Sequence, residues 1–162
     1  MAASTVIKHF TDGTIKFEDG TGTPVALTVV AGQGDFSISG LAQDDREAVP
    51  YQSRGVLHSL RQGARTFPSG SLSIMLADLS DGTDGTIADF ILKQGSYSAN
   101  ASTSAGDVYT IDIELTIEGT DVGDSADHTI KASDCHCTLD IAEGSPDTLS
   151  VSFTCYGSVA MT

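Results

Sequence analysis

A chain of 162 residues with 40% hydrophobic content fits one domain, 1–162, able to bury a core without covalent staples. Eight Lys plus Arg against 22 Asp plus Glu give a formal charge of −14, which argues against stable binding of nucleic acid. The opening MAASTVIKHF has no apolar stretch behind a basic cluster, and no run of about 18 apolar residues occurs, so neither a signal peptide nor a membrane span is expected and the chain reads as cytoplasmic.

In chain order, residues 5–18 read as a β-hairpin: Val6, Ile7 and Phe10, a turn at Asp12 and Gly13, then Ile15 and Phe17 alternating with Lys16 and Glu18. EDGTGTP, 18–24, is turn chemistry. Val25, Leu27 and Val29 then alternate with Ala26, Thr28 and Val30, and a second alternating run begins at Phe36, so this spacing predicts two paired strands. Across 41–54 the periodicity stops in a segment holding Asp44, Asp45, Arg46, Glu47 and Pro50. About 14 residues is long for a connection and points to a functional loop, with an idle solvated loop as the other reading. Strand patterns return at 56–61 and at Leu72, Ile74 and Leu76, separated by the turn ARTFPSG.

DLSDGTDG, 78–85, crowds acids together but fails the EF-hand template: Thr83 stands sixth where Gly is needed, and no Glu closes the loop at position twelve. Its acids precede a helix start instead, with Thr86 as cap and Asp89 three residues on. Ile87, Phe90 and Ile91 share one side and Gly95 supplies the stop, giving one short helix over 86–94 that must lie on a sheet. The Ser/Ala/Gly-rich SYSANASTSAGD after it reads as a mobile linker; its Asn-Ala-Ser glycosylation match at Asn100 means nothing without a secretory route.

VYTIDIELTIE, 108–118, is the strongest strand signal in the chain. Tyr109, Ile111, Ile113, Leu115 and Ile117 share one side; Val108, Thr110, Asp112, Glu114, Thr116 and Glu118 share the other. A helix would scatter those five large apolar groups, whereas a strand buries them together at roughly 1.5 to 3 kcal/mol each, gross. After an acidic loop at 119–128, two closing strands repeat the pattern. In one, Cys135, Cys137, Leu139 and Ile141 oppose Asp134, His136, Thr138 and Asp140; in the other, Leu149, Val151, Phe153 and Cys155 oppose Ser150, Ser152, Thr154 and Tyr156.

The three cysteines read as buried free thiols. A bond between Cys135 and Cys137 would be strained; Cys155 could join them across strands, but structural zinc usually wants four ligands. No Ser sits in a nucleophile-elbow context beside a histidine, and His9, His58, His128 and His136 read as surface residues. There is no Trp, aromatic content is 6%, and no glycine loop that could cradle phosphate precedes a helix. No enzyme signature and no cofactor or metal site emerges.

The sum is an all-β dominated fold, sandwich or barrel, with one short helix packed on it. Its strands carry few Lys or Pro guards, and joining copies into a closed ring is one way to hide sheet edges. DGTIKFEDGTGTPVALTVV at 12–30, GDFSISGL, Arg54–Gly55, PSGSLSIML at 68–76, the helix and the alternating strand after it resemble, in order, the major tail tube protein of long, non-contractile-tailed bacteriophages. Contractile-tail tubes and type VI secretion rings share that kind of subunit. The resemblance implies a non-enzymatic virion protein, assembled in the host cytoplasm into stacked hexameric rings. Its expected partners are its own copies, tape measure, tail terminator and tail-tip proteins, and DNA in transit without stable binding, with no membrane. It places Asp112, Glu114 and Glu118, with Asp134 and Asp140, on the lumen, and makes the loop 41–54 an inter-subunit arm with Asp44, Asp45, Arg46 and Glu47 as pairing charges. Phosphates repelled by such carboxylates over about 8 to 10 Å would slide instead of binding. The other readings are an acidic β-sandwich that binds calcium or carbohydrate through its Asp-rich loops, and a related head or tail-tip component.

Overall fold

The computed structural model describes residues 13–30, 36–42, 46–75, 86–119, 126–144 and 147–162. The strands are β1 (Thr14–Glu18), β2 (Ala26–Val30), β3 (Ser37–Ser39), β4 (Arg46–Ser53), β5 (Val56–Arg65), β6 (Ser69–Met75), β7 (Ile111–Ile117), β8 (His128–Ala142), β9 (Thr148–Cys155) and β10 (Val159–Met161). One helix, α1 (Ile87–Leu92), lies between β6 and β7. Eight strands form one antiparallel sheet in the order β2-β1-β7-β8-β9-β6-β3, with β10 on the first half of β8. The fold is therefore β-dominated with a single short helix, and among the described residues the sheet does not close into a barrel.

The alternation read from β7 decides which face is buried. Ile111, Ile113, Leu115 and Ile117 are buried and the residues between them are only partly so. Ile15 and Phe17 of β1, Leu72 of β6 and Leu149, Val151 and Phe153 of β9 join them in one core. Helix α1 lies against this apolar face. Phe90 has no exposed surface, and its ring centroid sits 6.2 Å from Phe17 and 4.9 Å from Tyr97.

Thr86 caps α1 as expected: its Oγ1 accepts the Asp89 N–H at 3.1 Å, and Ile87, Phe90 and Ile91 are buried. The helix stops earlier than 94, because Lys93 already takes the left-handed conformation (φ 54°), and Gly95, left-handed as well (φ 53°), opens a 3-10 turn through Tyr97.

Other expectations need correction. Most of 41–54 is strand: β4 pairs with β5 in a separate two-stranded hairpin, while Asp44 and Asp45 lie outside the described residues. Arg54 and Gly55 (φ 48° and 79°) supply the two left-handed residues that a two-residue hairpin loop requires. β2 and β3 do not pair; they occupy opposite edges of the sheet. The expected first strand of the hairpin over 5–18, and residues 78–85, lie outside the described residues apart from Gly13 to Glu18.

The Ser/Ala/Gly-rich stretch is hydrogen-bonded into the fold and is not a loose linker. Asp19, buried, accepts the Val25 N–H at 2.6 Å and the Ala101 N–H at 3.1 Å, while Thr110 Oγ1 gathers Ser102, Thr103 and the Ser104 N–H within 3.0 Å. Asn100 is buried beside Tyr109, which removes it as a glycosylation acceptor. Finally, β8 begins at His128, earlier than the reading placed it, and three strands close the chain, with β10 pairing residues 130–132. A bulge at Ser133 and Asp134 separates the two halves of β8, so inward residues are even-numbered before it (Ile130, Ala132) and odd-numbered after it (Cys135, Cys137).

Candidate functional site

With α1 packed on the apolar face of the sheet, the other is the candidate surface, and strand register divides it in two. Across β1, β7 and the first half of β8 it is charged: Lys16, Glu114 and Lys131 are register partners in one row, and Glu18 and Asp112 pair in the next. Lys131 Nζ donates to Glu18 Oε2 at 2.8 Å and lies 3.4 Å from Asp112 Oδ2; Lys16 forms an ion pair with Glu18 of 2.5 Å. The hydrogen bond from Lys131, followed by that from Lys16, outweighs partial burial and lowers the Glu18 pKa. Reciprocally, the bond to Glu18 raises that of Lys131.

From the second half of β8 to β3 the same face carries hydroxyls. Thr138, Ser152, Ser71 and Ser37 form one row across four strands, and Asp140, Ser150 and Ser73 another. Ser37 and Ser71 hydroxyls meet at 3.0 Å, and Thr138 donates to the Ser152 carbonyl at 3.4 Å. Apart from Asp140, short hydroxyls at alternate positions keep this half of the face wet without charge.

Of the acids expected together, Asp112 and Glu114 are neighbours on this face. Glu118 follows the end of β7, and Asp140 is exposed in the hydroxyl half. Asp134 departs from the regular strand assumed for it: it sits in the bulge at φ 55°, and its N–H donates to Asp112 Oδ1 at 3.1 Å. The part played by the two lysines was not foreseen, because Lys16 reaches the acids through β1–β7 pairing and Lys131 precedes the alternating run at 134–141.

The second surface is the β4–β5 hairpin, which neither face of the main sheet covers. It holds all four arginines of the chain, Arg46, Arg54, Arg61 and Arg65, against the single acid Glu47; the remaining residues carry four lysines against 21 acids. Near its tip Val56, Leu57 and Leu60 are exposed, at 69%, 58% and 64%. The Arg61 and Arg65 guanidiniums lie 5.4 and 5.0 Å from the ring centroids of Tyr51 and Phe67.

No protein-family model and no curated protein matches the sequence. Solved structures do match, and they are injection-machine components. A chain of the extracellular contractile injection system PVC, in the sheath/tube terminator in its extended state, is 14% identical, with 92% of each chain covered and a TM-score of 0.51. One from the PVC sheath-tube complex is 13% identical, with 91% of this chain and 87% of that one covered, at 0.51. One from the tube-terminating cap of the anti-feeding prophage is 14% identical, with 100% and 94% covered, at 0.53. At these identities the likeness is one of fold alone.

The described residues contain no group of three or more His, Cys, Asp or Glu arranged to hold a metal ion, and no helix long and apolar enough to cross a membrane.

Proposed function

We propose that this chain is a structural subunit of a phage-tail-like tube: its copies join into hexameric rings, the rings stack, and the polar face of the eight-stranded sheet lines the channel. The observation that carries this reading is the hairpin β4–β5. A two-stranded ribbon with neither face covered is marginal on its own, and one bearing exposed Val56, Leu57 and Leu60 gains most by burying them against another molecule. Its arginines fit the strongly acidic remainder of a second copy. The inter-subunit arm is thus the hairpin, with Arg46 and Glu47 among its charges; Asp44 and Asp45 precede it. The fold shared with sheath/tube and terminator components supports the same assignment.

Within such a ring Asp112, Glu114, Glu118 and Asp140 face the lumen, Asp134 stands at its bulge, and DNA is the polymer whose passage the acids ease. Tape measure, terminator and tail-tip proteins are the partners that a virion tail of this kind supplies. Negative-stain imaging and sedimentation of the concentrated protein test the assembly: six-fold rings or tubes are expected for the native chain, and monomers for Arg61→Glu with Leu60→Asp. A native chain that stays monomeric at every concentration and salt, alone and with tail-tip complexes as nuclei, overturns the proposal. Asp112→Lys with Glu114→Lys should still assemble yet retain duplex DNA; unchanged passage would remove the lumen assignment.

A further inference from the structure

Cys135 on β8 and Cys155 on β9 are register partners across the middle of the sheet. Both are fully buried, both are free thiols, and their sulfurs are 3.3 Å apart. The backbone fixes what kind of pair this is. The Tyr156 N–H donates to the Asp134 carbonyl at 3.1 Å, whereas the Cys155 N–H turns away from β8 to the Pro68 carbonyl at 2.8 Å. The cysteines therefore face each other at a non-hydrogen-bonded position of the antiparallel ladder, where Cα atoms lie about 4.5 Å apart. A disulfide needs a separation of about 4.4 to 6.8 Å. Side-chain rotation alone can bring the two sulfurs to bonding distance.

We infer that Cys135 and Cys155 form a latent cross-strand staple, open as thiols in a reducing cytoplasm and closed as a disulfide when the protein meets a peroxide. A cavity of about 120 Å³ lined by Ile91, Tyr109, Ile111, Cys135, His136 and Cys137 gives a small oxidant a place beside Cys135. In the first step the Cys135 sulfur attacks one peroxide oxygen; the O–O bond breaks, and the departing hydroxide takes the cysteine proton and leaves as water. The Cys155 sulfur then attacks the resulting sulfenic sulfur, and the displaced hydroxide leaves with the second thiol proton as water. Two sulfurs lose two electrons between them, the peroxide gains them, and one S–S bond and two waters result.

Cys137 also lines the cavity, but it points along the same strand as Cys135, and a bond between residues two apart in one strand is strained. Its register partner on β9 is Phe153, so no thiol faces it across the ladder, and burial pushes its own thiol up to about 12. The Cys135 thiol is raised further, first by the hydrogen bond it makes with Cys155 and then by burial. Closure is therefore slow chemistry that proximity makes possible. The staple crosses the β8–β9 seam that joins the two halves of the sheet, next to the bulge that interrupts the ladder. It is independent of whether the chain assembles.

The native full-length protein is exposed to hydrogen peroxide, alkylated, digested and mapped by mass spectrometry, with a thermal melt before and after. The expected result is one Cys135–Cys155 crosslink, an intact mass lower by two hydrogens, and a melting temperature about 5 to 10 °C higher, as closing a loop of this length implies. Cys137→Ser should behave identically, while Cys155→Ala should neither crosslink nor gain stability. A crosslink through Cys137, over-oxidation of Cys137 with the other two cysteines left as thiols, unreactive sulfurs in the native protein, or complete closure without a rise in melting temperature each overturns the staple.

Discussion

Replacing Lys131 with Met removes the cation shared by Glu18 and Asp112 while keeping an unbranched apolar stem. Lys131, Glu18 and Asp112 side chains are 35%, 15% and 19% exposed, so the cluster is neither in open water nor dry. An exposed pair is worth about 0.2 to 1 kcal/mol, and removing one partner of a buried pair costs about 3 to 5. With screening by the solvent that reaches Lys131, the expected loss is about 1 to 2 kcal/mol, a fall in melting temperature of roughly 3 to 6 °C for a domain of this size. Urea titration at low salt measures it. Near 1 M salt the screening length is about 3 Å, comparable to the 2.8 and 3.4 Å contacts, so the penalty should shrink by half or more. The pH dependence has a defined sign. Because Lys131 lowers the Glu18 pKa, its stabilisation is present above the ordinary glutamate value and is lost as pH falls through the folded-state value. Because Glu18 raises the Lys131 pKa, the same contact is lost again as pH rises through the elevated lysine value. The penalty of Lys131→Met should therefore form a plateau around neutrality and fade at both ends. A variant as stable as the native chain at low salt, or a penalty indifferent to salt and pH, would refute an ionic role.

Gly70→Ala should detach β3 from β6, because the added Cβ would lie 2.3 Å from the Ser37 carbonyl oxygen and 2.4 Å from the Phe153 ring; a loss of about 1 to 3 kcal/mol in urea and faster amide exchange over Ser37–Ser39 are expected. Asp19→Ala removes the acceptor for the Val25 and Ala101 N–H groups and the Thr21 hydroxyl, at about 1 to 3 kcal/mol for each donor left buried, and should open residues 98–107 to limited proteolysis. Burial alone would raise the Asp19 pKa, but its hydrogen bonds together lower it, so the native chain should lose this contribution as pH falls through the folded-state value and the variant should not.

The elements legible in the sequence are those that bury one face. β7 declared itself because Ile111, Ile113, Leu115 and Ile117 all meet the core, and α1 because Thr86 and Asp89 bracket its first turn before a stripe of Ile87, Phe90 and Ile91. β4 was illegible for the converse reason. It buries neither face, Pro50 interrupts it, and its register with β5 slips between Arg46 and Ala48 and again between Tyr51 and Gln52. Alternation reports burial, and a strand without burial has none to report. The bulge at Ser133 and Asp134 hid the first half of β8 by switching the parity of its inward residues. The Cys135–Cys155 pairing was within reach: counting outward from the Gly144–Asp147 turn, closed by the Gly144 N–H on Asp147 Oδ1, aligns the two cysteines.

What the sequence could not supply was the neutralisation of its own acids. The expectation of an acidic lining read the outward face of β7 without its neighbours, yet β1 and β8 bring Lys16 and Lys131 into the same rows. Copies arranged round a shared channel would place such faces opposite one another, and uncompensated carboxylates within a screening length of about 8 to 10 Å would oppose closure of the ring before they could assist any cargo. Two lysines reduce that repulsion where the acids are densest, and the hydroxyl rows of β9, β6 and β3 carry no charge at all. A wall of this composition is wet, weakly negative and poor in cations free to hold phosphate, since Lys16 and Lys131 are both engaged by Glu18. In the proposed channel, low friction toward DNA would rest on the absence of attraction as much as on repulsion. If the proposed channel is right, inserting lysine at Asp112 and Glu114 should therefore perturb DNA passage more sharply than neutralising the same residues with Asn and Gln.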